Sequence, residues 1–321
     1  MTIKSIIKGC GGYLPEKVLS NHDLAKMVDT SDEWIKQRTG IESRHIAAED
    51  ETTSAMAIKA AEDALLHADM PAADIDAVIV ATTTPDLTFP ATAAHVQAGL
   101  GMAHGFAFDV QAVCSGFIYA LTTADSLIQA GRAKNVLVIG AEKMSSIVDW
   151  NDRGTCILFA DGAGAVVLSA EETDEQKGIL SAHLHSDGRQ KDLLCTSGGP
   201  GTTGDAGVIH MEGREVFKHA VQHLAEAVDE ALESNGIAPD EIDWLLPHQA
   251  NIRIIESTAK KLGMSMDKVV TTVATHGNTS AASVPLALNA AVKDGRIKRG
   301  DLILTEAMGG GFTWGSALIR Y

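Results

Sequence analysis

A cysteine stands at a predicted turn between a strand and a helix in the first half of the chain. The apolar run Phe106 to Val110 is typical of a buried strand, and an apolar helical stripe begins at Phe117 and ends before Gly131. Cys114 lies between them, where the free N–H groups and positive dipole of a helix N-terminus favour a thiolate. A thiolate there would be a nucleophile, although a lone cysteine is more often a small buried apolar residue.

Two further polar side chains follow predicted strands in the second half. His248 comes after a short apolar run, and an imidazole held there is suited to proton transfer or hydrogen-bond donation. Asn278 comes after Val269 to Val273, which we expect to be a strand, and its amide can donate to an oxyanion or enolate without titrating. Ordinary roles, a surface histidine and a turn asparagine, fit each residue taken singly. The glycines 309–311 permit either close backbone approach at an oxyanion hole or a tight turn.

The second half of the chain repeats the pattern of the first. The matching segments are 63–76 with 230–243, 131–134 with 295–298, and 164–168 with 315–319. The shift of 164 residues that relates the second pair carries Cys114 onto Asn278. We therefore expect an α/β protein of two duplicated halves, residues 1–172 and 173–321. Ligands of such sheets bind beyond the carboxyl ends of strands, so Cys114, His248 and Asn278 could converge there.

Composition excludes several classes of function. The chain has 321 residues and a formal net charge of −16, which argues against a nucleic-acid or anionic-membrane partner. It has no apolar run near the length of a membrane span and no signal-peptide pattern, so we expect a cytoplasmic protein. Four cysteines without C-x-x-C spacing favour neither a disulfide framework nor a zinc site.

Six stretches together resemble the β-ketoacyl-acyl carrier protein synthase III family of the thiolase superfamily. They are Asp-Glu-Trp-Ile (32–35) with Arg-Thr-Gly-Ile (38–41), Ala-Val-Cys-Ser-Gly-Phe (112–117), Phe-Ala-Asp-Gly-Ala-Gly (159–164), Pro-His-Gln-Ala-Asn (247–251), His-Gly-Asn-Thr-Ser (276–280) and Gly-Gly-Gly-Phe-Thr-Trp-Gly-Ser-Ala (309–317). They span nearly the whole chain in the family's order. The resemblance implies a thiolase-like fold, with the two halves layered as αβαβα.

The resemblance also implies a reaction. Cys114, His248 and Asn278 would be the catalytic triad of an acyltransferase that initiates fatty acid synthesis. Cys114 would take the acetyl group of acetyl-CoA, with the backbone N–H groups of Cys114 and Gly310 binding the oxyanion. His248 and Asn278 would hold the enolate formed when malonyl-acyl carrier protein loses CO2, and condensation would give acetoacetyl-acyl carrier protein. No metal or redox cofactor is implied, because the thioester activates the carbon.

The family's binding sites carry over onto matching positions. The CoA-binding residues would be Thr30, Trp34, Arg38, Arg153 and Asn251. Trp34 and Arg38 share a helical face, a spacing that equally suits a surface cation–π pair. Phe89 and Met308 would line the acyl pocket, with Phe89 reaching across a homodimer. The bulk of Phe89 favours a short primer, acetyl or propionyl, while the adaptable Met308 could widen the pocket.

An acidic carrier protein needs a local basic patch on this acidic chain. Arg253, Lys260 and Lys261 fall on one face of a predicted helix, and Arg214 and Lys218 could extend the patch. The alternative is a solvated helix face, which is the usual meaning of a run of charges.

Rival functions leave different marks in the sequence. A degradative thiolase needs a second cysteine near the C-terminus, and none follows Cys195. A type III polyketide synthase shares the Cys-His-Asn triad but is usually longer. A hydrolase with the same triad would release the acyl group to water. Only the identity of the acyl acceptor distinguishes such a hydrolase from a condensing enzyme. A non-catalytic carrier-protein scaffold would be expected to have lost a triad residue.

Overall fold

The computed structural model describes residues 2–321, whose strands and helices are numbered here in chain order. The strands are β1 (Thr2–Tyr13), β2 (Lys17–Ser20), β3 (Ser43–Ile46), β4 (Ala77–Ala81), β5 (Phe106–Val110), β6 (Asn135–Lys143), β7 (Asp161–Thr173), β8 (Gly178–Ser186), β9 (Leu194–Thr196), β10 (Ile209–Met211), β11 (Trp244–Pro247), β12 (Leu302–Gly309) and β13 (Thr313–Arg320). The helices are α1 (Asn21–Leu24), α2 (Asp32–Thr39), α3 (Thr53–His67), α4 (Thr92–Gly99), α5 (Gly116–Gln129), α6 (Gly213–Asn235), α7 (Ile252–Lys261), α8 (Val273–His276) and α9 (Ser283–Lys293).

Two mixed sheets share one topology. The first has the order β1-β7-β6-β4-β5 and the second the order β11-β12-β13-β8. In the first sheet β4 and β6 run parallel, whereas β6–β7 and β7–β1 are antiparallel. The second sheet repeats this with β11–β12 parallel and β12–β13 and β13–β8 antiparallel. The segments aligned in the sequence thus occupy equivalent strands, while the division at residue 172 stays a prediction.

The predicted strand Val269 to Val273 is wrong. The position equivalent to β5 in the second sheet is reduced to a single parallel bridge between Val269 and Leu245. The chain then turns at Thr272, whose carbonyl accepts hydrogen bonds from the N–H groups of Thr275 and His276. Those bonds begin the short helix α8 instead of continuing a strand. Asn278 therefore follows a helix, although its backbone still forms a parallel bridge with Phe159.

Helices cover both sheets and fill the space between them. Alanine-rich α3 and α4 pack on the outer face of the first sheet, and α6 and α7 on the outer face of the second. Helices α5 and α9 lie between the two sheets in a shared core. Close approach requires glycine in β1, because a Cβ on Gly11 would lie 2.2 Å from the backbone nitrogen of Ala64 in α3. The layers follow the order αβαβα. No helix within residues 2–321 is long and apolar enough to cross a bilayer.

Candidate active site

Cys114 lies in a strained turn between β5 and α5. It occupies the 3-10 turn Val113–Ser115 and is buried. Val113 has φ +49°, a left-handed conformation that is unusual for a β-branched residue. The Ser115 hydroxyl fastens the turn, since its Oγ lies 2.8 Å from the Ala112 carbonyl and 2.8 Å from Thr313 Oγ1. Backbone strain that neighbouring contacts hold in place is typical of functional sites.

The three predicted catalytic side chains meet at one cavity. Cys114, His248 and Asn278 all line a cavity of about 110 Å³ that opens between the two halves of the sequence. His248 follows β11, and its N–H donates to the Glu306 carbonyl at 2.8 Å. The three side chains therefore converge as expected, and His276, which lies two residues before Asn278, does not line this cavity.

A serine orients the His248 ring. His248 Nδ1 lies 2.6 Å from Ser283 Oγ, and the same oxygen accepts the Gln249 backbone N–H at 3.3 Å. The Ser283 hydroxyl proton thus points to Nδ1, because donation by Nδ1 would leave that proton without an acceptor in the described chain. The imidazole then carries its proton on Nε2. Burial lowers the pKa of His248 to about 4, so the ring is neutral at pH 7 and Nε2–H is a hydrogen-bond donor.

The Asn278 amide is also fixed with its donor side free. Its Oδ1 accepts the Ser280 backbone N–H at 2.9 Å. Its own backbone donates to Leu158 and accepts from Ala160, a parallel bridge centred on Phe159. Because Oδ1 is engaged, the Nδ2 hydrogens are left to donate into the cavity. Two uncharged N–H donors, from His248 and Asn278, therefore face the space beside Cys114.

The environment of Cys114 opposes ionisation. Burial raises the pKa of its thiol to about 12, the Ser280 hydroxyl lowers it, and the Glu142 carboxylate raises it. Desolvation by burial therefore outweighs the favourable helix N-terminus that the sequence predicts. The thiol is protonated at rest and must lose that proton before it can attack.

The glycine loop after β12 packs directly on the nucleophile turn. Gly309 lines the cavity, and a Cβ there would lie 2.6 Å from the Cys114 backbone nitrogen. Gly310 faces the Leu194 carbonyl instead, where a Cβ would lie 2.6 Å from the oxygen. Both the Cys114 and Gly310 N–H groups have no backbone hydrogen-bond acceptor within the described residues. The structure thus adds Gly309 to the predicted site.

A second cavity, of about 150 Å³, is also lined by Cys114. It shares Phe159 and Leu194 with the first cavity. Its remaining lining residues are Thr83, Gln111, Val113, Met144, Ile147, Cys195, Thr196 and Ile209. The two predicted acyl-pocket residues fall elsewhere: Met308 lines the first cavity, and Phe89 lines neither one. Phe89 is 83% exposed on the loop before α4.

The predicted CoA-binding residues gather near the first cavity. The guanidinium carbons of Arg38 and Arg153 lie 5.0 and 5.1 Å from the Trp34 ring centroid. Asn251 lines the cavity and donates through Nδ2 to the Arg38 carbonyl at 3.0 Å. Thr30 stands just before α2, and its hydroxyl is buried without a hydrogen bond in residues 2–321. An aromatic ring flanked by two cations is therefore connected to the cavity wall through Asn251.

The predicted basic patch divides into two parts. Arg253 lies 5.4 Å from the ring of Phe217, a residue of the cavity wall, at the end of α6 that also carries Arg214 and Lys218. Lys260 and Lys261 stand about 12 Å farther along α7. Lys261 is paired with Asp229 of α6 at 3.1 Å, so its charge is largely offset. Within this patch the cations nearest the cavity are thus Arg214, Lys218 and Arg253, and Lys218 lies 4.0 Å from Glu215.

Sequence reasoning missed several residues that support the site. Ser283 and Gln249 orient His248 through hydrogen bonds. Ser280 and Glu142 shift the pKa of Cys114, which Ser280 lowers and Glu142 raises. Ser280 belonged to a recognised motif, but the motif assigned it no role. Glu142 had one visible signal, a carboxylate directly after the apolar strand residues 136–141. Nothing in the sequence pointed to the second cavity.

The repeated sheets and the cysteine at a strand-to-helix turn define a thiolase-fold acyltransferase. Residues 108–188 match the family model for 3-oxoacyl-[acyl-carrier-protein] synthase III, and residues 232–321 match the model for its C-terminal part. The chain belongs to the 3-oxoacyl-, or β-ketoacyl-, [acyl-carrier-protein] synthase III family. This confirms the predicted fold, and it confirms a condensing acyltransferase that initiates fatty acid synthesis.

Individual relatives agree with this membership over their full lengths. A β-ketoacyl-[acyl-carrier-protein] synthase III of Rhodospirillum centenum is 62% identical, over 100% of both chains. The crystal structure of the Aquifex aeolicus 3-oxoacyl-[acyl-carrier-protein] synthase III has a TM-score of 0.94 at 51% identity, covering 99% of this chain and 100% of that one. The Pseudomonas aeruginosa structure also reaches 0.94, at 42% identity, covering 99% and 98%. In residues 2–321 no group of three His, Cys, Asp or Glu could hold a metal ion.

Proposed function

We propose that the chain transfers an acetyl group from acetyl-CoA to Cys114 and condenses it with malonyl-acyl carrier protein. The observation that carries this proposal is the meeting of Cys114, His248 and Asn278 at one cavity, with two neutral donors facing the thiol. The products are acetoacetyl-acyl carrier protein, CO2 and CoA. No resident cofactor takes part, since both carbonyls arrive as activated thioesters.

In the first half-reaction Cys114 is the nucleophile. Its thiolate attacks the acetyl thioester carbonyl, and the backbone N–H groups of Cys114 and Gly310 bind the oxyanion. Both N–H groups have no backbone acceptor in the described chain, which supports this role. The coenzyme leaves as its thiolate, and the acetyl group rests in the second cavity, whose walls are mainly apolar.

In the second half-reaction His248 and Asn278 hold the malonyl thioester carbonyl. Loss of CO2 moves an electron pair onto that carbonyl, and the two N–H donors stabilise the resulting enolate. A histidine neutral down to about pH 4 suits this task, because it donates without first titrating. The enolate carbon then attacks the acetyl group, and Cys114 departs as a thiolate.

The substrate ends bind outside the cavity. The adenine of CoA would stack on the Trp34 ring after Arg38 or Arg153 moves away, with Thr30 and Asn251 beside the adenine.

The exposed Phe89 would close the second cavity of a partner copy in a homodimer, since Phe89 is bulky and lines neither cavity of its own chain. The bulk of Phe89 would then favour acetyl over branched primers. Equal rates of priming with isobutyryl-CoA and acetyl-CoA would contradict this preference for acetyl.

We place the reaction in the cytoplasm.

The carrier protein would dock on the ends of α6 and α7 beside Phe217. Arg253, Arg214 and Lys218 lie there, with Lys260 and Lys261 at the edge of the surface. Arg253→Glu is expected to weaken use of malonyl-acyl carrier protein about tenfold, while acetyl transfer from CoA is unchanged. Lys298→Glu is the matched control, because Lys298 is exposed and precedes β12 at the end of that strand away from the cavity. An equal loss of both half-reactions in Arg253→Glu would refute the docking assignment.

Intact-mass spectrometry tests the reaction as a whole. The protein is mixed with acetyl-CoA beside a Cys114→Ala control, and malonyl-acyl carrier protein is then added. A gain of one acetyl group that requires Cys114 and reappears as acetoacetate on the carrier protein supports the proposal. Loss of that group to water would make the protein a hydrolase. No gain with acetyl-CoA or with longer acyl-CoAs would contradict the role of Cys114.

A further inference from the structure

A buried carboxylate lies behind the nucleophile turn. Glu142 ends the apolar run of β6 and is fully buried. One of its oxygens, Oε2, accepts four hydrogen bonds: from the Thr83 N–H at 3.0 Å, the Thr84 N–H at 3.1 Å, and the Thr84 and Thr82 hydroxyls at 2.7 and 3.3 Å. The other oxygen, Oε1, has no partner in residues 2–321. Burial has the largest effect on the pKa of Glu142 and raises it, whereas these donors lower it by stabilising the carboxylate anion, whose second oxygen can then accept a proton.

Ser280 lies in a turn that packs against two elements: β6, which carries this carboxylate, and the start of α5 beside Cys114, where a Cβ on Gly116 would lie 3.4 Å from Ala281 Cβ. It is fully buried, has φ +49°, and is held there by its N–H bond to Asn278. The turn that carries it touches β6, since a Cβ on Gly140 would lie 2.2 Å from the Ala281 carbonyl oxygen. Burial raises the pKa of both the Cys114 thiol and the Glu142 carboxyl, and the Ser280 hydroxyl lowers both. The hydroxyl makes no complete hydrogen bond within the described residues, so it is free to turn between them.

The balance of charge limits where the thiol proton can go. If the Cys114 proton left the site while Glu142 stayed ionised, two anions would face one another in a buried region. Transfer of the proton to Glu142 keeps one negative charge in the region before and after. The other titratable group facing the thiol, His248, is held neutral by burial and keeps its Nε2 proton for the thioester carbonyl.

We infer that Ser280 and Glu142 form the proton-transfer pair that activates Cys114, a role that rests on the proposed acetyl transfer. As the thiol attacks, its proton passes to Ser280 Oγ while the Ser280 proton passes to Glu142 Oε1. The S–H bond breaks, the S–C bond forms, and the coenzyme leaves as its thiolate. When condensation releases Cys114 as a thiolate, the proton returns along the same two groups. In this pair Ser280 exchanges the proton with the thiol directly, and Glu142 acts through Ser280.

Two reactions of Cys114 test the Ser280–Glu142 pair: alkylation by iodoacetamide, which needs no acyl-CoA, and acetylation by acetyl-CoA. Glu142→Gln removes the proton acceptor but keeps one oxygen for the four donors. If Glu142 only repels the thiolate, this variant will be alkylated faster. The proposal predicts the opposite: about 100-fold slower acetylation by acetyl-CoA, and a pH profile of alkylation displaced upward by about one unit. Unchanged or faster alkylation in Glu142→Gln would overturn it.

Ser280→Ala keeps the carboxylate intact and provides the second variant. It should slow both reactions of Cys114 with little change in the melting temperature, whereas wild-type rates would overturn the proposal. Ser5→Ala is the matched control, because Ser5 is also a buried hydroxyl without a hydrogen bond in residues 2–321, on β1. Glu142→Asp should recover part of the lost rate. If wild-type protein is alkylated but never acetylated, the proposed function fails while the proton pair is still tested.

Discussion

Gly309 has no room for a side chain where the glycine loop meets the nucleophile turn. A Cβ at this position would lie 2.6 Å from the Cys114 nitrogen, 3.1 Å from Val113 Cβ and 3.2 Å from the Ala112 carbonyl oxygen. To reach an ordinary contact of 3.4 Å, the two backbone segments must separate by roughly 0.8 Å. Neither is a flexible side-chain end, and Val113 is already in a strained conformation.

Gly309→Ala should therefore impair chemistry more than folding. A displacement near 1 Å of the Cys114 backbone N–H misplaces both nucleophile and oxyanion donor, which costs about 100-fold in the rate of acetyl-enzyme formation. The overpacking itself should lower the free energy of unfolding by about 1–3 kcal/mol. Rapid-quench intact mass with acetyl-CoA measures the rate, and urea unfolding measures the stability.

Gly188→Ala is the matched control for this experiment. A Cβ at Gly188 meets no heavy atom within 4 Å, so the same substitution should change neither quantity. Acetylation of Gly309→Ala at the wild-type rate would show that the loop does not set the position of Cys114, and the reasoning would be refuted.

Three further results are expected. Ser283→Ala removes the group that orients His248, so condensation should slow about tenfold while single-turnover acetylation is unchanged; equal slowing of both steps would contradict the assignment. Burial places the pKa of His248 at about 4 in the fold, against 6.5 for the free side chain, so the unfolded chain binds the proton first and stability falls as pH drops below 6.5. Between pH 7 and 5, wild type should lose about 2 kcal/mol more than His248→Gln in urea unfolding, and parallel losses would be inconsistent with a buried neutral ring. Trp34→Ala should raise the KM for acetyl-CoA about tenfold but leave that for malonyl-acyl carrier protein unchanged, and a rise in both would argue against a CoA site.

Local pattern was sufficient where one element carries the information. Strand β5, the turn at Cys114 and the amphipathic helix α5 follow one another within 25 residues, so local pattern predicted them. The same holds for the repeated segments, whose strands occupy equivalent places in the two sheets. The expected burial of β5 is not observed, because β5 is the edge strand of its sheet and Phe106 is 40% exposed. The Val269 to Val273 prediction failed because an apolar run is compatible with a strand, and only pairing against β11 decides whether one forms.

The second group of site residues depends on packing between distant segments. Ser283 and His248 are 35 residues apart, and Glu142 on β6 is separated from Ser280 by 138 residues of sequence. A serine in an apolar helix and a glutamate at a strand end have many ordinary explanations in sequence. Likewise the sequence of α7 presents Lys261 as a free cation for a carrier protein, whereas in the fold Lys261 is paired with Asp229 of α6.

By itself the sequence determined the family and the duplicated α/β fold. It also singled out Cys114, His248 and Asn278 as the candidate catalytic side chains. It could do so because motifs and periodicity are properties of short stretches, and the repeat shift relates one half to the other. Only the tertiary structure decided that His248 is neutral and presents Nε2, that two cavities meet at Cys114, and that a buried serine and carboxylate stand behind it. Those features arise from desolvation and hydrogen bonds between segments far apart in the chain, which no local pattern encodes.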